Sequence, residues 1–174
     1  MIIGYGGTAM EEQMVVNHSC TRKDGGFTLI EVLVSIAIVG ILVAIAIPAY
    51  SSFREKAKIA HAQADLKSIQ SAIQILATDT EFWPGPSPIG VVANAEVWDL
   101  NSTSAGLVVA GGFSNWNGPY VQLVQKDPWG SDYFFDPDYA INGVDYPVVG
   151  SFGPNMAGQN AYDTDDIYLI LPTL

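Results

Sequence analysis

The chain has 174 residues, room for one ordinary domain or for one small domain with an accessory segment. Eighteen acidic against seven basic side chains give a formal net charge of −11, which argues against nucleic-acid binding, because phosphates need a basic face. A hydrophobic fraction of 49% excludes a disordered chain, the single cysteine (Cys20) excludes an intramolecular disulfide or a thiolate zinc site, and two histidines (His18 and His61) leave little for imidazole catalysis.

The first element in chain order is an apolar run. Phe27 to Ala49 reads FTLIEVLVSIAIVGILVAIAIPA, with Glu31 its only charge. A helix of about 20 apolar residues crosses a bilayer core. A cleavable secretory signal is disfavoured, because no A-x-A site follows and a helical pattern continues beyond Tyr50. A plain membrane anchor does not explain Glu31, since a carboxylate inside a span is costly and calls for a cationic partner. The run supplies none. Cleavage after Gly26 would, by leaving a free α-amine on Phe27 four residues from Glu31.

That arrangement, K-x-G-G/F-T-L-I-E-V-L, resembles the class III signal of type IV pilins and of the pseudopilins of type II secretion systems. Gly26, Phe27, Thr28, Leu29, Ile30, Glu31, Val32 and Leu33 match it, and Gly40 and Pro48 fall where that family places its helix breakers. The resemblance implies that a membrane aspartyl prepilin peptidase cuts between Gly26 and Phe27 and methylates the new amine. It implies three segments: a leader over 1–26, a transmembrane and filament-core helix over 27–50, and a periplasmic pilin-like domain over 51–174. Cys20 and His18 then have no mature role. The leader is long and carries Glu11 and Glu12, so Met10 and Met14 are alternative starts.

Helical periodicity continues through Ile59, Ala62, Leu66, Ile69, Ile73 and Leu76, at alternating spacings of three and four. The opposite face carries Arg54, Lys58, Asp65, Lys67 and Gln74, and His61 reads as a solvated surface residue. Phe27 to about Thr78 would form one helix of about 78 Å. Pro48 removes a hydrogen bond and Gly40 weakens the same stretch, so a kink is expected in isolation. The resemblance implies local melting between Gly40 and Pro48 in a filament. Trp83-Pro84-Gly85-Pro86 ends the helix. Residues 84–118 read as a long loop, with a short helical turn near Asn94–Leu100 and a weak glycosylation pattern at Asn101-Ser102-Thr103.

From Asp79 onward the chain has twelve acids and one cation, Lys126. Three runs read as strands: Asp132–Phe135, Tyr146–Phe152 and Asp166–Leu171. The fold class is therefore α+β: a long N-terminal helix packed on a small C-terminal antiparallel sheet. Trp129, in the turn Lys126-Asp127-Pro128-Trp129-Gly130, is expected to cover the helix–sheet core. The combination GPY…KDPWG is also similar to the major pseudopilins. Asp163, Asp165 and Asp166 crowd one loop. They read either as a solvated acidic turn or as a calcium site, since Ca²⁺ takes six to eight oxygens. The resemblance to major pseudopilins implies calcium there, although their S-x-G-x-x-G lead is SFGPNM in this chain.

The resulting expectation is a structural subunit without catalytic activity, for no Ser/His/Asp or Cys/His constellation exists. It is stored single-pass in the inner membrane with its C-terminal domain periplasmic, then polymerised into a periplasmic or extracellular filament. Implied partners are further copies of the chain, the prepilin peptidase, an inner-membrane assembly platform, minor pilins or pseudopilins, and membrane lipid. The major pseudopilin of a type II secretion system leads. The alternatives are a major type IV pilin, serving adhesion, twitching or DNA uptake, and a membrane-anchored binding protein.

Overall fold

The computed structural model describes residues 26–92 and 94–172. The chain divides into two compact units at the Ala44–Ile45 boundary. One helix, α1, is assigned from Leu29 to Thr80.

In the first unit every described residue is exposed, including Leu29, Ile30, Val34, Ile36 and Ile41. Helix α1 is long and apolar enough to cross a membrane: its apolar 18-residue stretch has a mean hydropathy of 2.9 and is 0% buried. The helical backbone is continuous through Gly40 and Pro48. Proline removes only one bond of the ladder, and the turns on either side keep theirs. Just beyond it, the Ser51 hydroxyl donates to the Pro48 carbonyl at 2.9 Å.

In the second unit the expected stripe is the buried face of α1. Ala62, Leu66, Ile69, Ile73 and Leu76 are buried, joined by Ala72 and Ala77, and Ile59 is half-buried. Each large aliphatic chain buried in this way stabilises the fold by about 1.5–3 kcal/mol. The helix ends at Thr80 and not at Thr78, because Thr80 closes it. Its hydroxyl donates to the Leu76 carbonyl at 2.8 Å and accepts the Phe82 N–H at 3.2 Å. Glu81 then turns the chain at φ 64°, its N–H on the Ala77 carbonyl.

The Trp83–Pro86 breaker lies in a small hairpin, β1 (Phe82–Trp83) and β2 (Ser87–Pro88). The helical turn expected near Asn94–Leu100 is absent. Val97, β-branched and buried, instead exchanges two 2.8 Å backbone hydrogen bonds with Phe135. The short helical turn lies further on, at Thr103–Ala105.

The main sheet is antiparallel, in the order β3 (Phe134–Ile141), β4 (Val144–Ser151), β5 (Ile167–Ile170). Asn142-Gly143 joins β3 to β4 with both residues at positive φ, the signature of a tight hairpin turn. That turn extends the first strand beyond the expected Phe135. A bulge between Asp136 and Tyr139 accommodates Pro137.

One sheet face and the α1 stripe enclose the main core, around Trp83, Leu100, Leu107, Tyr133, Phe135, Val149 and Leu171. A second cluster holds Phe134, Tyr139 and Val148, with Trp98, Phe152 and Tyr168 against it. Trp129 belongs to neither cluster, which corrects the expected role. Trp129 is half-buried: its indole N–H donates to Glu55 Oε1 at 2.7 Å, and Lys58 lies 5.7 Å from its ring. The buried tryptophan of the core is Trp83.

Candidate functional site

Two regions carry the residues singled out in the sequence. The first is the start of α1. Gly26, Phe27 and Thr28 precede the helix and are exposed. A Cβ placed on Gly26 would meet nothing within 4 Å, so the fold does not require glycine there. Thr28 is the N-cap of α1 and Glu31 its third residue. Glu31 Oε2 accepts both the Thr28 N–H and the Thr28 hydroxyl at 2.8 Å, and the Glu31 N–H faces Thr28 Oγ1 at 3.3 Å. This is a capping box, T-x-x-E, whose reciprocal bonds satisfy donors that a helix start leaves open. The T-x-x-E spacing of Thr28 and Glu31 is itself the sequence signal for this cap. One carboxylate oxygen of Glu31 therefore closes the helix, and the other takes no hydrogen bond from a described residue. Residues 1–25 of the expected leader, among them His18, Cys20 and the alternative starts Met10 and Met14, lie outside the described residues.

The second region joins the KDPWG turn to the acidic loop. Asp127 is 4% exposed. Its Oδ1 accepts the N–H groups of Trp129 (3.1 Å), Gly130 (2.8 Å) and Ser131 (2.8 Å), and its Oδ2 accepts the Ser151 hydroxyl at 2.6 Å. The Gly153 N–H donates to that same Ser151 oxygen at 3.1 Å. An aspartate before Pro-Trp-Gly marks such a turn in sequence. Its partner on β4 is visible only in the fold.

The acidic loop does not gather its three carboxylates. Asp163 accepts the Asn155 side-chain amide at 2.8 Å and the Asp165 N–H at 2.9 Å. These donors hold its carboxyl below the ordinary range. Asp166 accepts the Tyr139 hydroxyl at 2.6 Å, while burial pushes its carboxyl up; its other oxygen is buried without a partner. Asp165 is exposed. Among the described residues no three acidic, histidine or cysteine side chains form a group able to hold a metal. The residues as placed therefore do not fit a calcium ion held by Asp163, Asp165 and Asp166 together.

Two further tyrosine–carboxylate bonds tie the body to α1. The Tyr133 hydroxyl donates to Asp65 and the Tyr120 hydroxyl to Asp79, at 2.8 Å and 2.9 Å. Asp65 is thus half-buried and engaged, where a solvated face was expected. His61 lies on the exposed side, its Nε2 3.6 Å from Asp65.

Residues 21–47 match the family model described as the prokaryotic N-terminal methylation motif, and residues 54–145 match one described as PilW, C-terminal. The type II secretion system core protein G of Pseudomonas aeruginosa is 32% identical, over 82% of this chain and 94% of that protein. A type IV major pilin protein, PilE, of Neisseria gonorrhoeae is 35% identical over 59% of this chain and 50% of the pilin. The crystal structure of the major pseudopilin from the type 2 secretion system of enterohaemorrhagic Escherichia coli is similar at a TM-score of 0.47 and 20% identity, covering 67% of this chain and 86% of that one. With a methylation motif at the head of its exposed apolar helix, and likeness to a core protein G along nearly the whole of that relative, the chain belongs to the type II secretion system core protein G family of pseudopilins.

Proposed function

We propose that this chain is stored in the inner membrane through residues 27–50, with residues 51–174 in the periplasm. We propose also that the prepilin peptidase cuts it between Gly26 and Phe27, and that it then polymerises as the major pseudopilin of a type II secretion system. The observation that carries this reading is the first unit: an entirely exposed apolar helix with one carboxylate, Glu31, at its capped start. So large an apolar surface is stable only under lipid or against other apolar helices. Lipid covers it before assembly, and the same segment of other copies covers it in the filament. Glu31 supplies the one polar anchor in that environment, and the α-amine released at Phe27 is the cation within its reach. Further partners on this reading are an inner-membrane assembly platform and minor pseudopilins. The role is structural and non-catalytic.

Calcium at the acidic loop gains no support from the placement of Asp163, Asp165 and Asp166, and no step of this reading depends on it.

A second reading, a type IV pilin, rests on the likeness to the Neisseria pilin. Complementation separates the two. The chain should restore exoprotein secretion to a host lacking its own major pseudopilin, and should not restore twitching to a pilin deletion. The reverse result would overturn the assignment.

A further inference from the structure

The bulge on β3 carries an Asp-Pro-Asp sequence that the filament reading leaves without a role. The bulge interrupts the strand's alternation and brings Asp138 back against Asp136. Asp136 is 0% exposed. Its Oδ1 accepts the Asp138 N–H at 2.9 Å. Its Oδ2 is buried with no partner, and so is Asp138 Oδ1. The Asp138 N–H bond holds the two residues side by side, each with one orphaned carboxylate oxygen.

No cation faces them among the described groups that act on Asp136. Glu96 approaches from the segment bridged to β3, and Tyr162, whose hydroxyl donates to Asn160 Oδ1 at 3.4 Å, lines the hollow from the acidic loop. Asp166 and Tyr139 line the same hollow and are bonded to each other. Val148, opposite Asp136 on β4, is apolar. The hollow, closed on one side by Gly158, Asn160, Ala161 and Tyr162, has no room for a water molecule. An ionised Asp136 in that dry hollow, beside a second carboxylate and without a cation, is strongly unfavourable, and a proton removes its charge and gives an orphaned oxygen a donor.

We propose that Asp136 and Asp138 form a carboxyl pair that holds one shared proton in mildly acidic solution, and that losing it loosens the Gly158–Tyr162 segment that closes the hollow around Asp136. Burial, then Asp138 and Glu96, push Asp136 up to about 7. Its folded value lies above the ordinary carboxylate value, so the folded state binds more protons between the two. The stability contributed by the shared proton is complete below the ordinary carboxylate range and is lost as pH rises through about 7.

The test uses the full chain in detergent micelles, melted from about pH 5 to about pH 8, with carboxyl ¹³C NMR of the native chain alongside. The other acids also lower stability as pH rises, so the comparison is with variants. Asp136→Asn should lack one proton's worth of slope, so that its melting temperature relative to the native chain climbs steadily from the acid end to about neutral pH. Asp145→Asn, at an exposed position, should keep the native slope. The native spectrum should contain one aspartate titrating near 7. Aspartates that all ionise in the ordinary range would overturn the proposal, even if Asp136→Asn does not fold. An unchanged slope in Asp136→Asn would overturn it too. So would a calcium-induced rise in melting temperature that Asp136→Asn removes, since the pair would then be a cation site.

Discussion

The Ser151 hydroxyl donates to Asp127 Oδ2 at 2.6 Å, and both residues are buried. This bond joins the Pro-Trp-Gly turn to the end of β4, where the acidic loop begins. The same turn places Trp129 against Glu55 of α1. One aspartate therefore fixes a turn, a strand end and a helix contact.

Asp127→Ala would leave three backbone N–H groups and a hydroxyl without their acceptor. A loss of about 2–4 kcal/mol is expected, seen as a melting temperature lower by about 5–15 °C in the full-length chain. Ser151→Ala should cost less, about 1–2 kcal/mol, because Asp127 keeps its three backbone donors. Equal effects from the two substitutions would show that the Ser151 link, and not the turn, dominates.

Gly153 sits at φ +65°, and a Cβ there would collide with the Asp165 carbonyl oxygen. Backbone cannot yield as a side-chain tip can, so Gly153→Ala should open the acidic loop and destabilise the body by about 2 kcal/mol or more. Gly130, at φ +104° but with open space around it, should lose only about 1 kcal/mol on substitution by alanine. Limited proteolysis between Gly153 and Asp166 reads out the difference.

Glu31 has two roles that substitutions can separate. Glu31→Val removes both the cap and the charge, while Glu31→Gln keeps a cap acceptor and removes only the charge. Both variants should insert into membranes at least as well as the native chain, because a charge leaves the span. Neither should yield filaments in a shearing assay if pairing with the Phe27 amine is what draws subunits into register. Normal filaments from Glu31→Gln would assign the residue to helix capping instead.

Processing is read by intact mass. In a host with a prepilin peptidase the mature chain should begin at methylated Phe27. Because Gly26 has no neighbour within 4 Å, a Gly26→Val chain should fold and insert but remain uncut. A mature form that retains Arg22 and Lys23 would sink the class III signal reading.

The loop bond between Asn155 and Asp163 occupies a carboxylate that calcium would need. The full chain is expected to melt at the same temperature in calcium and in chelator at matched ionic strength. A rise with calcium that is lost in Asp166→Ala would show that the loop rearranges around the ion. Asn155→Ala should lower the melting temperature in either medium.

Local pattern alone determined the helix, its buried stripe and its membrane-length apolar run, because a 3.6-residue period and continuous hydropathy are properties of neighbours in sequence. The cap at Thr28 and Glu31 was equally local. The Asn142-Gly143 turn, likewise local, fixed the β3–β4 hairpin, although the strands run further than composition suggested because a bulge absorbs Pro137. Only the tertiary structure decided which partners distant polar groups find. Asp127 meets Ser151 across 24 positions, Tyr133 meets Asp65 across 68, and Trp129 meets Glu55 across 74. It placed Trp83, and not Trp129, in the core, because burial depends on what the opposite side of the fold supplies. It also gave two of the acidic loop's carboxylates different partners, which sequence proximity could not foretell. Asp163 found the Asn155 amide and Asp166 the Tyr139 hydroxyl, because a buried or crowded charge is stabilised by the specific donors the folded chain brings within reach.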